Sequence, residues 1–109
     1  MKTEQPILIT SILANQDFPK NRFISFDGYL GSEGAKSLGV CSAETSLNEL
    51  APVACNGIVL IETTAAVSQG AKVQTYDDGY AGPDNGGPTE GYALDAATGA
   101  NEFIRVLLA

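Results

Sequence analysis

The chain is 109 residues long, with six basic and 13 acidic side chains, a formal net charge of −7, no histidine and two cysteines, Cys41 and Cys55. One small domain is expected at this length, and so little chain hides only a modest share of its surface, so it gains much from a partner. The acidic balance supplies no basic face for nucleic acid or for an anionic membrane, and excludes both as expected partners.

The elements are short and divided by turn residues. "MKTEQP", Met1 to Pro6, is polar and ends on a proline, so residues 1–6 are expected to form a flexible N-terminal arm and residues 7–109 a single β-rich domain. "ILITSIL", Ile7 to Leu13, is rich in β-branched residues and too short for a helix; it lacks the basic flank and cleavage site of a signal peptide. "NQDFPK" breaks it. "RFISFDGYL", Arg22 to Leu30, reads as two strand pieces around an Asp27-Gly28 turn. "KSLGVCSA", Lys36 to Ala43, is a strand in which Gly39 marks a bulge or a close approach of backbone.

Ser46 and Glu49 have capping-box spacing, but Pro52 limits any helix there to one turn. In "APVACNGIVLIETT", Ala51 to Thr64, apolar runs flank Asn56-Gly57, which predicts a hairpin with a type I′ turn. Ala71, Val73 and Thr75 alternate with Lys72, Gln74 and Tyr76 on the next strand, and Asp78-Gly79 turns the chain. "GPDNGGPTEG" reads as a mobile connector of variable length. "YALDAA" and the closing "FIRVLLA" are strands, the last apolar on both sides except at Arg105. Turn signals about every ten residues predict an all-β class: a small single-domain β-sandwich or barrel of short antiparallel strands, with at most one or two short helical turns.

The same residues restrict chemistry. Without histidine there is no Ser-His-Asp or Cys-His system, and no CxxC pair accompanies the two cysteines as a zinc site would need. Whether Cys41 and Cys55 pair is left open by the sequence. The carboxylates are scattered over turns. The glycine-rich stretch lacks the Gly-Lys-Ser/Thr of a phosphate loop and the ligand spacing of a calcium loop. No catalytic residue, cofactor or metal site is expected, and the chain reads as a non-enzyme.

Three stretches, "RFISFDGYLGSEGAKSLGVCSAET", "CNGIVLIETTAAVSQGAKVQTYDDGYA" and "GYALDAATGANEFIRVLLA", occur in an order that resembles the small capsid decoration (cement) proteins of tailed bacteriophages and prophages, a family also known under a recombinase-like label. The resemblance runs through Gly34, Leu38, Gly39 and Val40, then Gly57 and Ile61, then Val67, Gly70 and Val73. It continues through Asp77, Asp78 and Gly79 and closes on Gly91, Ala93, Leu94, Ala96, Ile104, Val106 and Leu108. "SLNELAPVAC" departs from it, where such proteins more often have a simple turn.

The resemblance implies a structural protein of the virion, made in the host bacterial cytoplasm, that binds the outside of the expanded head and stabilises the lattice of its partner, the major capsid protein. It also implies a homo-oligomer, a trimer before a dimer. The arm residues Lys2, Thr3, Glu4, Gln5 and Pro6 are the expected capsid-binding residues, by strand addition. The alternative is a small β-sandwich module for carbohydrate or protein, with Tyr76, Tyr80 and Tyr92 as stacking aromatics.

Overall fold

The computed structural model describes residues 3–108. Eight strands run in chain order: β1 Gln5–Leu13, β2 Arg22–Ile24, β3 Gly39–Cys41, β4 Leu50–Glu62, β5 Lys72–Thr75, β6 Ala81–Pro83, β7 Gly91–Ala93 and β8 Phe103–Leu108. One 3-10 turn, Asp77–Gly79, is the helical content among the described residues. The expected all-β class is the observed one: a nearly closed, barrel-like antiparallel sheet in one small domain.

The pairing path is β2-β3-β4-β8-β7-β5-β6, with β1 added to β4. Its two ends come together. Thr63, just past β4, bridges Ala81 of β6, and the Gly79 amide donates to the Gly31 carbonyl, whose own amide donates to Phe23 of β2. Side chains complete the seam. Arg22 of β2 lies 3.8 Å over the Tyr80 ring and donates to the Tyr80 hydroxyl (2.9 Å), the Asp78 carbonyl (3.2 Å) and Glu62 (3.2 Å).

Two cores use the two faces of the same short strands. Phe23, Val40 and Ala54 are in register and face the main core with Val59, Ile61, Val73, Ile104 and Val106. Ile24, Cys41 and Val53 face the other way, into a second core covered by Ala14, Phe18, Leu30 and Leu38. A strand buried on both faces has no polar side to show, which is why "LGVC" carries none. Gly39 is a close approach, as its sequence context suggested: a Cβ there would collide with the Ala54 carbonyl.

The Asn56-Gly57 pair departs from expectation. No hairpin forms; Leu50–Glu62 is one continuous strand of 13 residues. Register with β1 slips at Pro6/Leu8 and back at Leu8/Ile9, leaving Ile7 extra on β1 and Cys55 extra on β4. These are two compensating bulges. Gly57 takes φ +95° and its missing Cβ makes room for the Gln5 carbonyl and the Ile7 amide. The same preference for positive φ that makes Asn-Gly a turn signal serves a bulge here. The bulge also flips the strand: Val53 faces the second core, while Val59 and Ile61 face the first. At Asp27-Gly28 and Asp78-Gly79 the chain does turn, with Gly28 and Gly79 at positive φ.

The glycine-rich stretch is anchored rather than free. Gln74 is fully buried, and its Oε1 accepts from the amides of Asn85 (2.8 Å) and Gly87 (3.0 Å). Glu90, 2% exposed, accepts from Lys36 Nζ (2.8 Å), the Ser37 amide (2.7 Å) and the Thr75 hydroxyl (2.9 Å). The crest between them is exposed at Asp84, Asn85, Gly86 and Pro88.

Candidate docking surface

β1 is the unusual element. Ala54 pairs with both Ile9 and Val40, and Ile58 with both Gln5 and Leu107. A strand residue has one neighbour on each flank, so β1 holds one edge of β4 while β3 and β8 share the other. β1 itself pairs with β4 and with no further strand among the described residues. It is a nine-residue edge strand, and nearly every side chain on it faces solvent.

Those side chains are apolar. Ile7 is 80% exposed and Ile9 52%, with Leu8 and Leu13 similarly open. At its C-terminal end the apolar surface widens. Leu13 lies opposite Leu50, which is 69% exposed. The turn carrying exposed Leu47 is fastened by Ala14 donating to Glu49 and Asn48 donating to Ala14. The tip carrying exposed Phe26 and Tyr29 is fastened to Asn15, whose amide and Nδ2 donate to Gly28 and Asp27. Ser46 and Glu49 do bond, the Ser46 amide donating to the Glu49 carboxylate (2.9 Å), but in this turn and not at a helix start.

At the N-terminal end a second apolar face adjoins β1. Tyr92 pairs with Leu107 and Leu107 with Ile58, and these side chains look outward together. β8 therefore alternates, with Ile104, Val106 and Leu108 inside and Phe103 and Leu107 outside, rather than being buried on both sides as its composition suggested. Scattered exposed apolar residues are ordinary, but contiguous ones on an unpaired edge mark a binding surface.

Of the residues expected to bind the capsid, those that the structure describes lie at this end. Lys2 is outside the described residues. Thr3 is exposed and Glu4 half-buried, ahead of β1. Gln5 and Pro6 belong to β1, opposite Ile58 and Gly57, so the sheet begins two residues inside the expected free arm. The stacking tyrosines do not assemble. Tyr80 is covered by Arg22, and Tyr76 donates its hydroxyl to the Pro83 carbonyl (2.7 Å), its pKa pushed up by burial and by Glu33 and Asp84.

A depression of about 250 Å³ is lined by Asp17, Phe18, Pro19 and Glu44 to Ser46, and the Asp17 carboxylate in it is taken by the Leu47 amide. Among the described residues no cluster of His, Cys, Asp and Glu is arranged for a metal, and no helix is long and apolar enough to cross a membrane. Cys41 is buried and Cys55 half-buried, both as free thiols. Burial pushes the Cys55 thiol up, against smaller opposing effects of the Thr10 amide and Lys36. What the sequence hid was the exposure of β1, because the missing outer neighbour leaves no mark in composition.

Comparison with known proteins agrees with a docking role. The head fiber gp8.5 N base of bacteriophage phi29 has the same fold, with a TM-score of 0.76 over 94% of this chain and 93% of that one, at 16% sequence identity. No curated protein matches the chain. A family model described as phage cement protein matches residues 1–108. An acidic all-β domain with its apolar residues laid along an open edge and matched nearly end to end by that model belongs to the phage cement protein family, with a structural, capsid-associated role.

Proposed function

We propose that this protein binds the outside of the expanded phage head as a homo-oligomer and holds neighbouring subunits of the major capsid protein together. The capsid-facing element is the N-terminal segment Lys2–Pro6 with the adjoining outer face of Ile58, Tyr92 and Leu107. The observation that carries this reading is that exposed apolar face beside a strand whose first residues continue directly from the segment. This face adjoins the segment, so a partner that takes up the segment also buries apolar area here. Many identical weak contacts on a lattice then act together. No chemical step is part of the role, and the chain works as a binder.

The test is co-sedimentation with expanded, DNA-free shells. Three forms are compared: the full chain, a chain beginning at Gln5, and Leu107→Ser. Truncation stops before Gln5 because Gln5 and Pro6 are rungs of the β1–β4 ladder. The full chain is expected to bind, and both altered forms to bind more weakly while melting at an unchanged temperature. Equal binding by all three would remove this face from the contact, and failure of the full chain to bind would remove the head-binding role.

A further inference from the structure

The chain holds two asparagine–glycine pairs, Asn56-Gly57 and Asn85-Gly86. In such a pair the glycine amide nitrogen can reach the side-chain carbonyl carbon of the asparagine, because no Cβ on the glycine stands in the way. The approach turns the peptide plane between the two residues, so the backbone decides which pair can make it. Asn85-Gly86 lies on the crest of the loop between β6 and β7. Both residues are exposed, Gly86 is at φ +88°, and a Cβ on it would meet no atom within 4 Å. The Asn85 side chain makes no hydrogen bond among the described residues. Gln74 Oε1 holds the amides of Asn85 and Gly87, one on each side of the peptide that has to turn. Turning it leaves both anchors in place and breaks one exposed contact, from the Gly86 amide to Asp84 Oδ1 (3.2 Å).

Asn56 is exposed too, so side-chain exposure does not separate the two pairs. Its glycine does. Gly57 is buried within β4 and lies opposite Pro6, between the rungs Asn56–Leu8 and Ile58–Gln5. Ile58 is also a rung to Leu107 on the other flank. The Gly57 amide already donates to Asn56 Oδ1 (2.7 Å). Turning this peptide opens the ladder between β1 and β4.

We propose that Asn85 is a site of spontaneous modification, losing its side-chain amide through a cyclic imide with Gly86, while Asn56 is spared. The Gly86 nitrogen gives its proton to hydroxide, and its electron pair attacks Asn85 Cγ. The Cγ–Nδ2 bond breaks, and that nitrogen leaves as ammonia with a proton from water. Water then opens the ring. Opening at Cγ gives aspartate, and opening at the main-chain carbonyl gives isoaspartate, in which the chain runs through the side-chain carbon. Nothing is oxidised or reduced: an amide and a water become a carboxylate and an ammonium ion. Either product sets a second carboxylate beside Asp84. Isoaspartate also lengthens the backbone between the two amides that share Gln74 Oε1, so the loop leaves its anchor. The inference stands on the loop alone and does not depend on capsid binding.

Incubation of the folded chain in warm, mildly alkaline buffer, followed by peptide mapping with mass spectrometry, tests it. The peptide holding Asn85 is expected to take the mass of the acid and to become a substrate for an isoaspartyl methyltransferase. Asn56 has to wait for the ladder to open, so in the folded chain it is expected to react roughly tenfold more slowly or less still. In guanidinium chloride the two pairs are expected to react at similar rates, which assigns the difference to the fold. Asn85→Gln keeps an amide at an exposed position but cannot close the five-membered ring, and is expected to retain that amide throughout. Aged chain is expected to be cleaved faster between residues 84 and 88 than fresh chain or aged Asn85→Gln. Equal rates at Asn56 and Asn85 in the folded chain, or faster reaction at Asn56, would overturn the proposal. So would the same difference persisting in denaturant, loss of the amide from Asn85→Gln at the parent rate, or unchanged cleavage after modification.

Discussion

Two stretches of this chain look opposite in sequence and are opposite in the structure, with the roles exchanged. "ILITSIL" has the composition of an interior strand and lies open to solvent on the edge of the sheet. "GPDNGGPTEG" has the composition of a loose connector and is tied down by two buried side chains, Gln74 and Glu90. Burial is decided by neighbours, and composition records only what a residue tolerates. The apolar strand is exposed because no strand among the described residues pairs with its outer edge. The polar loop is held because its amides and its glutamate find buried partners, and a buried hydrogen bond to a charged group is costly to lose.

The contrast breaks most severely if the loop anchor is cut. Glu90→Ala strands the Ser37 amide and the Thr75 hydroxyl beneath the loop, and is expected to cost about 3 kcal/mol in urea unfolding. A loss under about 1 kcal/mol would mean that water replaces the carboxylate and that the stretch is a connector after all. Gly57→Ala comes next. It places a side chain at φ +95° against β1 backbone and is expected to cost about 2–3 kcal/mol. If thermal melting moves little, β1 is detachable and the compensating bulges are not a fixed joint.

Gln74→Ala sharpens the comparison more gently. Two loop amides lose their acceptor, with an expected cost of about 1–2 kcal/mol and faster protease cleavage between residues 84 and 88. Cleavage at the parent rate would show that Gln74 does not hold the loop. The smallest stability effect belongs to the strand that looks most like core. Ile7→Ser is expected to change unfolding free energy by less than about 0.5 kcal/mol, although the same substitution inside a core would cost several times more. A large loss would place Ile7 in a contact within the single chain. Cys55 gives a readout without unfolding. Its raised pKa leaves less thiolate at neutral pH than an ordinary cysteine has, so it is expected to alkylate more slowly than a free thiol and to speed up only as pH climbs past the usual value of 9.0. A fast reaction at neutral pH would contradict burial beside β1.

Much of the fold is legible from local signals. Asp27-Gly28, Asp78-Gly79 and Gly39 each act as their sequence context indicates, because steric rules at single residues carry over into any tertiary setting. Asn56-Gly57 fails for the same reason that it misleads: positive φ is shared by type I′ turns and by bulges, and only the course of β1 alongside tells them apart. The double burial of β5 was also hidden. Gln74 reads as the outward half of an alternation, yet the loop it anchors folds over it. The exposed apolar surface along β1 was not legible, because an open edge leaves no mark in composition.

The ladder between β1 and β4 has a mechanical consequence. Its rungs run from Gln5–Ile58 to Leu13–Leu50, interrupted by one bulge on each strand. A pull on the N-terminal segment directed along the strand stretches these rungs in parallel, so they share the load and must fail together. A pull at right angles, lifting the segment away from β4, meets them one at a time and peels the strand open from Gln5. An attachment that keeps the tether in line with β1 therefore resists in shear, while the same hydrogen bonds under a lifted tether would part like a zip.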